Sequence, residues 1–345
     1  MAHRSPALHS LASSWARFWA KVRALWGSYW VLPLVPALYS IPIAFAGDLR
    51  LEHWIFAAFA VVFGYTGPRA KQFLVDVSPI IAVALAYDVV RYVRPILVTP
   101  ERVLGCELRT LDQAILPGGG GRTGQEWLAA QHTPLLDLVF AVPYTIFLYL
   151  VFGYAIYLFF RDRPRMRHYL LAFAVGNFIS FSCYLLVPAA PPWYVHAHGC
   201  LIDTGVAPNP AGLARVDQMF GISYYASFYG RAAAAFGAMP SMHCAYPLIG
   251  LLTAWRAAGP VARAVHLGYW LIMSLAAMYL DHHWAVDVLA GWATAAVAVA
   301  VTGAWLRFRA RSAAVEQPRL PSSPRKSSPR RLDRPTPVPA TYPGE

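Results

Sequence analysis

Two adjacent histidines and an aspartate precede an apolar stretch near the end of the sequence. His283 and Asp287 are four residues apart, and His282 comes directly before them. On a helix, residues four apart share a face, so the carboxylate can hold one imidazole nitrogen and leave the other unprotonated. An imidazole held this way is a nucleophile. His282 would point about 100° away from His283, so we expect it to be structural and Asp281 to be an outer-face charge.

A second candidate site begins at Pro240, and its histidine, His243, precedes His283 by 40 residues. Proline suits the first turn of a helix, where free N–H groups can bind an anion. Together with the Ser241 hydroxyl, these groups would form an anion site, and His243 could donate a proton to a leaving oxygen. The sequence therefore predicts that His243 and His283 face each other across a phosphate.

A third polar group lies at the end of the third apolar stretch. Arg91 follows Tyr87 by four residues and Asp88 by three, so the three side chains share one helical face. A guanidinium group suits bidentate phosphate binding, and we predict that this face contributes to a phosphate site. Arg94 fits either the same role or an interfacial anchor whose charge reaches the headgroups.

The histidine pair admits three kinds of chemistry. A metal site needs more ligands than His282, His283 and Asp287 supply, and the sequence has no HExxH pattern. A proton relay in a transporter would not need an anion site at a helix start. Covalent phosphoryl transfer through His283, oriented by Asp287, uses all of these groups, and we expect no metal or other cofactor.

The composition is that of a membrane protein with several spans. Hydrophobic residues make up 57% of the 345 residues and charged residues only 13%. The net charge of +12 does not indicate nucleic-acid binding, because the basic residues form short clusters between apolar runs. We predict an all-α polytopic membrane helical bundle of about eight spans, at residues 30–46, 53–68, 73–94, 135–160, 169–188, 241–255, 264–281 and 285–306.

The basic clusters predict the orientation of the chain in the membrane. Under the eight-span count all of them fall on one side, which the positive-inside rule makes cytoplasmic together with both termini. The histidines then face the periplasm or a lumen. The clusters are Arg4 to Arg23, Arg69 and Lys71, Arg161 to Arg167, Arg256 and Arg263, and Arg307 to Arg311. The predicted divisions are an amphipathic surface helix (1–29), two accessory spans (30–71), a catalytic six-span domain (72–311) and a disordered basic cytoplasmic tail (312–345).

The segment 96–134 contains a glycine run and scattered charges, and we predict a flexible outer loop with one short surface helix. The glycine run lacks the strand and Lys-Ser/Thr context of a phosphate-binding loop, which favours a linker. Cys106 and Cys200 both fall in predicted outer loops, where they could form a disulfide or remain two free thiols.

These motifs resemble those of the type 2 phosphatidic acid phosphatase and haloperoxidase superfamily. Its P-S-x-H motif matches Pro240 to His243, and its H-x-x-x-D motif matches His283 to Asp287. The resemblance implies a phosphatase-like core of six helices and a metal-free, two-step mechanism. In that mechanism His283 is phosphorylated, Asp287 orients it, and His243 acts first as an acid and then as a base.

Three positions depart from the pattern of the superfamily's phosphatases. Tyr87 stands where they have a lysine, and Ala276 and Ala277 replace their Ser-Arg pair. The sequence is more similar to the inositol phosphorylceramide synthase branch, which also lacks that pair. The matching stretches are Pro191 to Tyr194, Gly237 to His243, and Met278 to Leu280 followed by His282 and His283. Within the first stretch, Trp193 is either a substrate-binding residue or an interfacial belt residue.

We therefore expect a membrane phosphotransferase that moves a phosphorylated headgroup, such as phosphoinositol, from a phospholipid donor to a lipid acceptor such as ceramide. Two alternatives remain at this stage. A lipid or isoprenoid phosphate phosphatase would use water as the acceptor. A protein without catalytic activity could use the same polar pocket for lipid binding or transport, and it would keep ligand binding without His283.

Overall fold

The structure, a computed structural model, describes residues 6–233 and 235–316. In this part of the chain the regular structure is helical apart from one two-stranded antiparallel sheet. One compact unit extends to Ala304, and a second begins at Trp305 within the last helix. The α-helices are α1 (Pro6–Trp26), α2 (Val35–Phe45), α3 (Leu51–Thr66), α4 (Pro68–Leu97), α5 (Cys106–Ile115), α6 (Gly124–Ala130), α7 (Pro134–Arg161), α8 (Arg163–Leu186), α9 (Pro192–His198), α10 (Ala214–Phe220), α11 (Tyr224–Tyr229), α12 (Met242–Ala254), α13 (Pro260–Tyr279) and α14 (Ala285–Glu316).

The predicted membrane bundle is confirmed by the length and composition of the helices. In the described part of the chain, five helices are long and apolar enough to cross a bilayer: α4, α7, α8, α13 and α14. The segments Ser14–Tyr29 and Leu32–Phe45 would add a sixth span if they cross as one bent pair. Helices α3 and α12 are apolar but have only 16 and 13 residues. The count of eight spans stays a prediction.

Helices α4 and α8 run in the same direction. Near the start of α4, the buried Asp76 binds Arg163 and Arg167 at the start of α8, with Arg167 Nε 2.7 Å from the carboxylate. Further along both helices, the rings of Tyr87 and Phe181 lie 5.7 Å apart between centroids. The ends of α4 and α8 therefore share one end of the bundle, and their starts share the other, which we call the basic end.

Of the other core helices, α13 runs in the same direction as α4 and α8, whereas α7, α12 and α14 run in the opposite direction. Late in α7, the ring of Tyr154 lies 5.1 Å from Tyr169 near the start of α8 and 5.2 Å from His266 near the start of α13. The arginine clusters around Arg161 and Arg263 consequently lie at the basic end. The starts of α7, α12 and α14 and the end of α13 lie at the opposite end, which we call the histidine end.

The predicted ends of the chain differ in part from the structure. The two segments before α3 meet at 90°, as a surface helix leading into a span would, and the surface location itself stays a prediction. Helix α14 continues to Glu316, so the disorder predicted from residue 312 is wrong for 312–316. The remaining predicted tail, 317–345, lies outside the described residues, as do residues 1–5.

The segment 96–134 is an ordered layer rather than the predicted flexible loop. It contains α5, the strands β1 (Pro117–Gly119) and β2 (Arg122–Thr123), and α6. Gly119 at the end of β1 and the next two residues, Gly120 and Gly121, have φ of +77°, +58° and +78°, which residues with a Cβ rarely adopt. The buried Asp112 of α5 accepts a hydrogen bond from Val286 N at 3.0 Å. This layer therefore packs against the start of α14 at the histidine end.

Cys106 and Cys200 form a disulfide, which settles the alternative that their positions left open. The bond links the start of α5 to the segment after α9, with the Cα atoms 5.4 Å apart. Its two cysteines are separated by 94 residues. The disulfide therefore ties together two segments of the histidine end that are distant in sequence.

Removing this disulfide should destabilise the histidine end. Closing a loop of this length removes much of the conformational entropy of the unfolded chain, so replacing both Cys106 and Cys200 with serine should cost about 4 to 5 kcal/mol. The midpoint of thermal unfolding in detergent should fall accordingly. Cys183→Ser, at a half-buried free cysteine, is the matched control and should change the midpoint little. Equal midpoints for the double variant and the control would show that the bond does not stabilise the fold.

Candidate active site

The two adjacent histidines lie in a tight turn between α13 and α14. The backbone N–H groups of His282 and His283 both donate to Ala277 O, at 3.2 and 3.0 Å, which folds the turn back onto the end of α13. Asp281 completes the turn with a φ of +65°. The Asp287 carboxylate accepts a hydrogen bond from Trp284 N at 2.9 Å and so satisfies a free donor at the start of α14. The turn is thus fixed on both sides.

The His283 ring has a defined proton position. Its Nδ1 lies 2.9 Å from the backbone oxygen of Ala238 and 3.7 Å from the nearer Asp287 oxygen. A carbonyl oxygen can only accept a hydrogen bond, so Nδ1 carries the proton and Nε2 keeps its lone pair. The predicted direct hydrogen bond from His283 to Asp287 is therefore replaced by one to Ala238. The fully buried carboxylate still lies close enough to stabilise a positive charge on the ring.

The predicted juxtaposition of the two histidines is observed. His243 Nδ1 lies 3.2 Å from His283 Nε2. Because Nε2 holds a lone pair, the hydrogen between the rings belongs to His243. The His243 ring stacks on Tyr144 at 4.4 Å between centroids and contacts Phe147 at 4.8 Å. These aromatic side chains of α7 hold His243 so that one nitrogen faces His283.

His282 has the supporting position expected from its place on the helix. Its ring lies between Tyr144 and Tyr229, stacked at 5.3 and 4.7 Å. Burial removes water from the charged form and lowers the pKa of His282 to about 3. The ring is therefore neutral at any physiological pH. It packs beside His243 without adding a second positive charge to the site.

The histidines line a cavity of about 610 Å³ whose wall is mostly apolar. Helices α4, α7 and α8 supply aliphatic and aromatic side chains to this wall. Of the predicted site residues, His243, His283, Tyr87 and Trp193 line the cavity. A pocket with a large apolar wall and a few polar groups at one end suits the chain and headgroup of a lipid.

Ser241 does not lie in the cavity wall. It is completely buried, and its hydroxyl contacts Cys244 Sγ at 3.3 Å. Its backbone N–H donates to Asp287 O at 3.0 Å. Helix α14 approaches so closely here that a Cβ on Gly291 would lie 2.3 Å from Ser241 O. The prediction that the Ser241 hydroxyl forms part of an anion site is corrected: the residue joins the starts of α12 and α14.

Asp88 is also turned away from the histidines. It is buried and binds Arg50, His53 and Tyr39, with His53 Nε2 at 3.1 Å and the Tyr39 hydroxyl at 2.8 Å. These partners belong to α2, to α3 and to the residue before α3. The predicted phosphate-binding face is therefore corrected at Asp88, whose carboxylate fastens the first two apolar helices to α4.

The basic residues predicted beside Asp88 have separate positions. Arg91 Nη2 donates to Arg231 O at 2.8 Å, and Arg91 Nε is 3.9 Å from the carboxylate of Asp88. Neither Arg91 nor Arg94 lines the cavity. The Tyr87 hydroxyl accepts a hydrogen bond from Ala233 N at 2.9 Å. Tyr87 and Arg91 thus hold the segment after α11 over the cavity.

Sequence patterns did not identify several contributors to the site. Arg231 is the one lysine or arginine that lines the cavity among the described residues. It lies in the loop between α11 and α12, outside any motif. The Ala238 carbonyl has no side-chain signature, and Tyr144 is one of 19 tyrosines in the chain. The one sequence signal near these residues is the match over Gly237 to His243, which includes Ala238.

A charged network supports the histidine turn from outside the cavity. The Asp281 carboxylate accepts from Gln125 Nε2 at 2.9 Å and lies 3.1 Å from His196 Nδ1. His196 Nε2 lies 3.4 Å from Glu126. The hydrogen bond to Asp281 raises the pKa of His196 above its ordinary value, against the opposing effect of burial. The predicted outer-face charge of Asp281 thus joins α6 and α9 to the turn.

The stability contributed by His196 should depend on pH. A histidine whose folded pKa is raised stabilises the fold below its unfolded pKa of about 6.5 and loses this effect as the pH rises through the folded value. His196→Gln should therefore lower the thermal midpoint most in mild acid and progressively less toward alkaline pH. His198→Gln, at a histidine that packs on the Tyr194 ring in the same helix, is the control. A midpoint difference independent of pH would exclude the ion pair as its cause.

Comparison with known proteins adds a family match and several named relatives. A family model described as the PAP2 superfamily matches residues 122–301. A phosphoinositol dihydroceramide synthase of Bacteroides thetaiotaomicron is 30% identical over 286 residues, which cover 80% of this chain and 89% of the relative. An inositol phosphorylceramide synthase of Candida albicans is 32% identical over 48% of this chain and 35% of its own length.

A third relative is the inositol phosphorylceramide synthase catalytic subunit of Schizosaccharomyces pombe. It is 29% identical over 47% of this chain and 39% of its own length. The two fungal proteins are thus matched over little more than a third of their lengths, whereas the bacterial relative is matched over most of its length. No solved structure matches the chain.

Proposed function

Because this chain belongs to the PAP2 superfamily, we propose that it transfers phosphoinositol from a phospholipid to ceramide or a similar acceptor through a phosphohistidine at His283. The observation that carries this proposal is the 3.2 Å approach of His243 Nδ1 to His283 Nε2 in the wall of an apolar cavity. The relatives named as phosphoinositol dihydroceramide synthase and inositol phosphorylceramide synthase support the choice of headgroup and acceptor. The enzyme class is a membrane lipid phosphotransferase.

The first half-reaction forms a bond from His283 Nε2 to the donor phosphorus. The bond from phosphorus to the diacylglycerol oxygen breaks, and protonated His243 gives that oxygen its proton. The His283 ring then carries phosphorus on Nε2 and a proton on Nδ1, so it is positively charged. The Ala238 carbonyl, at 2.9 Å from Nδ1, and the Asp287 carboxylate, at 3.7 Å, stabilise that charge.

The second half-reaction reverses these roles. Neutral His243 takes the proton of the acceptor hydroxyl, and the acceptor oxygen attacks the phosphorus as the bond to His283 Nε2 breaks. His243 finishes protonated and His283 regains its lone pair, so the cycle returns every proton. The apolar wall keeps water from the phosphohistidine and thereby favours an alcohol as acceptor.

The absence of two phosphate-binding cations that the superfamily's phosphatases carry is consistent with a phosphodiester substrate. Tyr87, Ala276 and Ala277 stand where phosphatases of the superfamily carry cationic and polar groups for phosphate. A phosphatase must bind a phosphomonoester of nearly two negative charges at neutral pH, whereas a phosphodiester carries one. A single cation at the cavity wall suits the smaller charge, and we assign this role to Arg231.

We also propose that the histidine end faces the periplasm or a lumen. The arginine clusters around Arg161 and Arg263 lie at the other end of the bundle, which is the pattern of a cytoplasmic face. The disulfide between Cys106 and Cys200 belongs to the histidine end, and disulfides persist in oxidising compartments. Two independent properties therefore indicate the same orientation.

The proposed activity can be tested with purified protein and defined lipids. Incubation with phosphatidylinositol and ceramide should yield inositol phosphorylceramide and diacylglycerol in equal amounts, as measured by mass spectrometry. Without ceramide, little headgroup should be released. Rapid release of inositol phosphate into water would instead indicate a hydrolase. Lipid binding without any product would indicate a protein without catalytic activity.

A further inference from the structure

A polar pair interrupts the apolar wall of the cavity below the histidines. Tyr246 lies three residues after His243 on α12, and both line the cavity together with Asn177 of α8. The Tyr246 hydroxyl lies 2.8 Å from Asn177 Oδ1. The Tyr246 ring contacts Phe173 and Phe147, with centroids 4.9 and 6.3 Å away. Polar groups inside an apolar membrane core are costly to retain without a partner, which makes this pair a candidate recognition element.

The direction of each hydrogen bond in this pair follows from a backbone carbonyl. Asn177 Nδ2 donates to Phe173 O at 2.7 Å, and a carbonyl oxygen cannot donate in return. Asn177 therefore presents its Oδ1 to Tyr246, and Tyr246 must donate its only hydroxyl hydrogen to that oxygen. The hydroxyl oxygen keeps free lone pairs. Toward a ligand in the cavity, Tyr246 can accept a hydrogen bond and cannot donate one.

We infer that Tyr246, oriented by Asn177, selects the lipid acceptor by accepting a hydrogen bond from an N–H group next to the reacting hydroxyl. This inference rests on the proposed transferase function and assigns the recognition of its acceptor, an N-acyl amino alcohol such as ceramide, to Tyr246. Such an acceptor carries an amide N–H. An acylglycerol offers only ester oxygens at the same place, and these would face the lone pairs of Tyr246 without a hydrogen between them.

The spacing of the two side chains fits such an acceptor. Three residues along a helix correspond to an axial rise of about 4.5 Å, and Phe147 contacts both the His243 ring and the Tyr246 ring. In an N-acyl amino alcohol whose hydroxyl and amide groups are on neighbouring carbons, the amide nitrogen is three bonds from the reacting oxygen. The hydroxyl can thus lie at His243 while the N–H reaches toward Tyr246, with the acyl chains along the apolar wall.

The test compares two acceptors that differ only at this atom: a short-chain N-acyl amino alcohol and its isostere in which an ester oxygen replaces the amide N–H. The wild-type protein should prefer the amide by roughly tenfold or more in kcat/KM, since an unpaired polar group is left with the ester. Tyr246→Phe keeps the ring and removes only the oxygen. It should reduce the preference to near unity, mainly by lowering kcat/KM for the amide.

Asn177→Leu tests the same inference by a different route. Without Asn177 the Tyr246 hydroxyl is free to donate its hydrogen, so kcat/KM for the ester should rise while the preference falls. Tyr154→Phe, at a tyrosine that does not line the cavity, is the control and should keep the wild-type ratio. An unchanged ratio in Tyr246→Phe, with wild-type protein active on both acceptors, would overturn the inference. A wild-type protein that transfers phosphoinositol to neither acceptor would instead contradict the proposed function.

Discussion

Replacing His283 with glutamine is expected to reduce phosphoinositol transfer by at least about three orders of magnitude, because the covalent route loses its nucleophile. The side chain of glutamine is of similar size and can still donate to Ala238 O, so the turn between α13 and α14 should persist. Product formation from phosphatidylinositol and ceramide, followed by mass spectrometry, measures the loss. Lipid binding should be retained, since the cavity wall is otherwise unchanged.

The matched control is His266→Gln, at a histidine of α13 whose ring packs against Tyr154 toward the basic end. Both variants exchange a histidine for the same amide, and only His283 faces His243. The control should keep transfer within a few fold of wild type. If His283→Gln retained a tenth or more of the wild-type rate, His283 would not be the nucleophile.

The second large effect is expected at His243, and it should depend on the leaving group. His243→Gln removes the acid of the first step and the base of the second, each worth about two to four orders of magnitude. A donor with a nitrophenyl group in place of diacylglycerol does not need protonation of its leaving oxygen. With this donor the variant should release nitrophenolate nearly as fast as wild type, in a burst of one equivalent per protein.

The burst separates the two half-reactions. Transfer from the phosphohistidine to ceramide should stay slow in His243→Gln even with the nitrophenyl donor, because the acceptor hydroxyl still needs a base. His283→Gln should give no burst with either donor. If the nitrophenyl donor were slowed as much as the lipid donor, His243 would act by positioning and not by proton transfer.

The motifs predicted that His243 and His283 lie together, because the place of each histidine in its motif depends on local spacing. The P-S-x-H and H-x-x-x-D stretches each begin at a helix boundary, which delivers His243 and His283 to the same end of the bundle. The long apolar stretches likewise predicted the spans, since a bilayer requires an uninterrupted apolar helix. The superfamily assignment from these residues is confirmed by the family match over 122–301.

Contacts between segments distant in sequence determine the partners of several site residues, and the spacing of residues along one helix does not predict these partners. The polar face of Tyr87, Asp88 and Arg91 was read as one site because the three share a helical face. In the structure Asp88 turns to Arg50, which lies 38 residues earlier, while Tyr87 turns to the cavity. Similarly, the acceptor for His283 Nδ1 is a backbone carbonyl 45 residues away. Every residue has such a carbonyl, so its role has no sequence signature.

The sequence predicts a loop at 96–134, and not the observed layer, because its short helices are not stable without tertiary contacts. Helices α5 and α6 have 10 and 7 residues, and isolated helices of this length are not stable in water. They are stabilised by tertiary contacts, including the hydrogen bond from Val286 to Asp112 and the disulfide at Cys106. The residue pattern within 96–134 contains no information about these partners, which lie elsewhere in the chain.

The most direct measurement of the covalent mechanism is the stereochemical course at phosphorus. A phosphatidylinositol analogue made chiral at phosphorus by one sulfur substitution can be converted to the ceramide product, and the configurations compared. Transfer through His283 involves two in-line displacements, each with inversion, so the account predicts overall retention of configuration. Overall inversion would indicate a single direct displacement by the acceptor and would contradict the phosphohistidine intermediate.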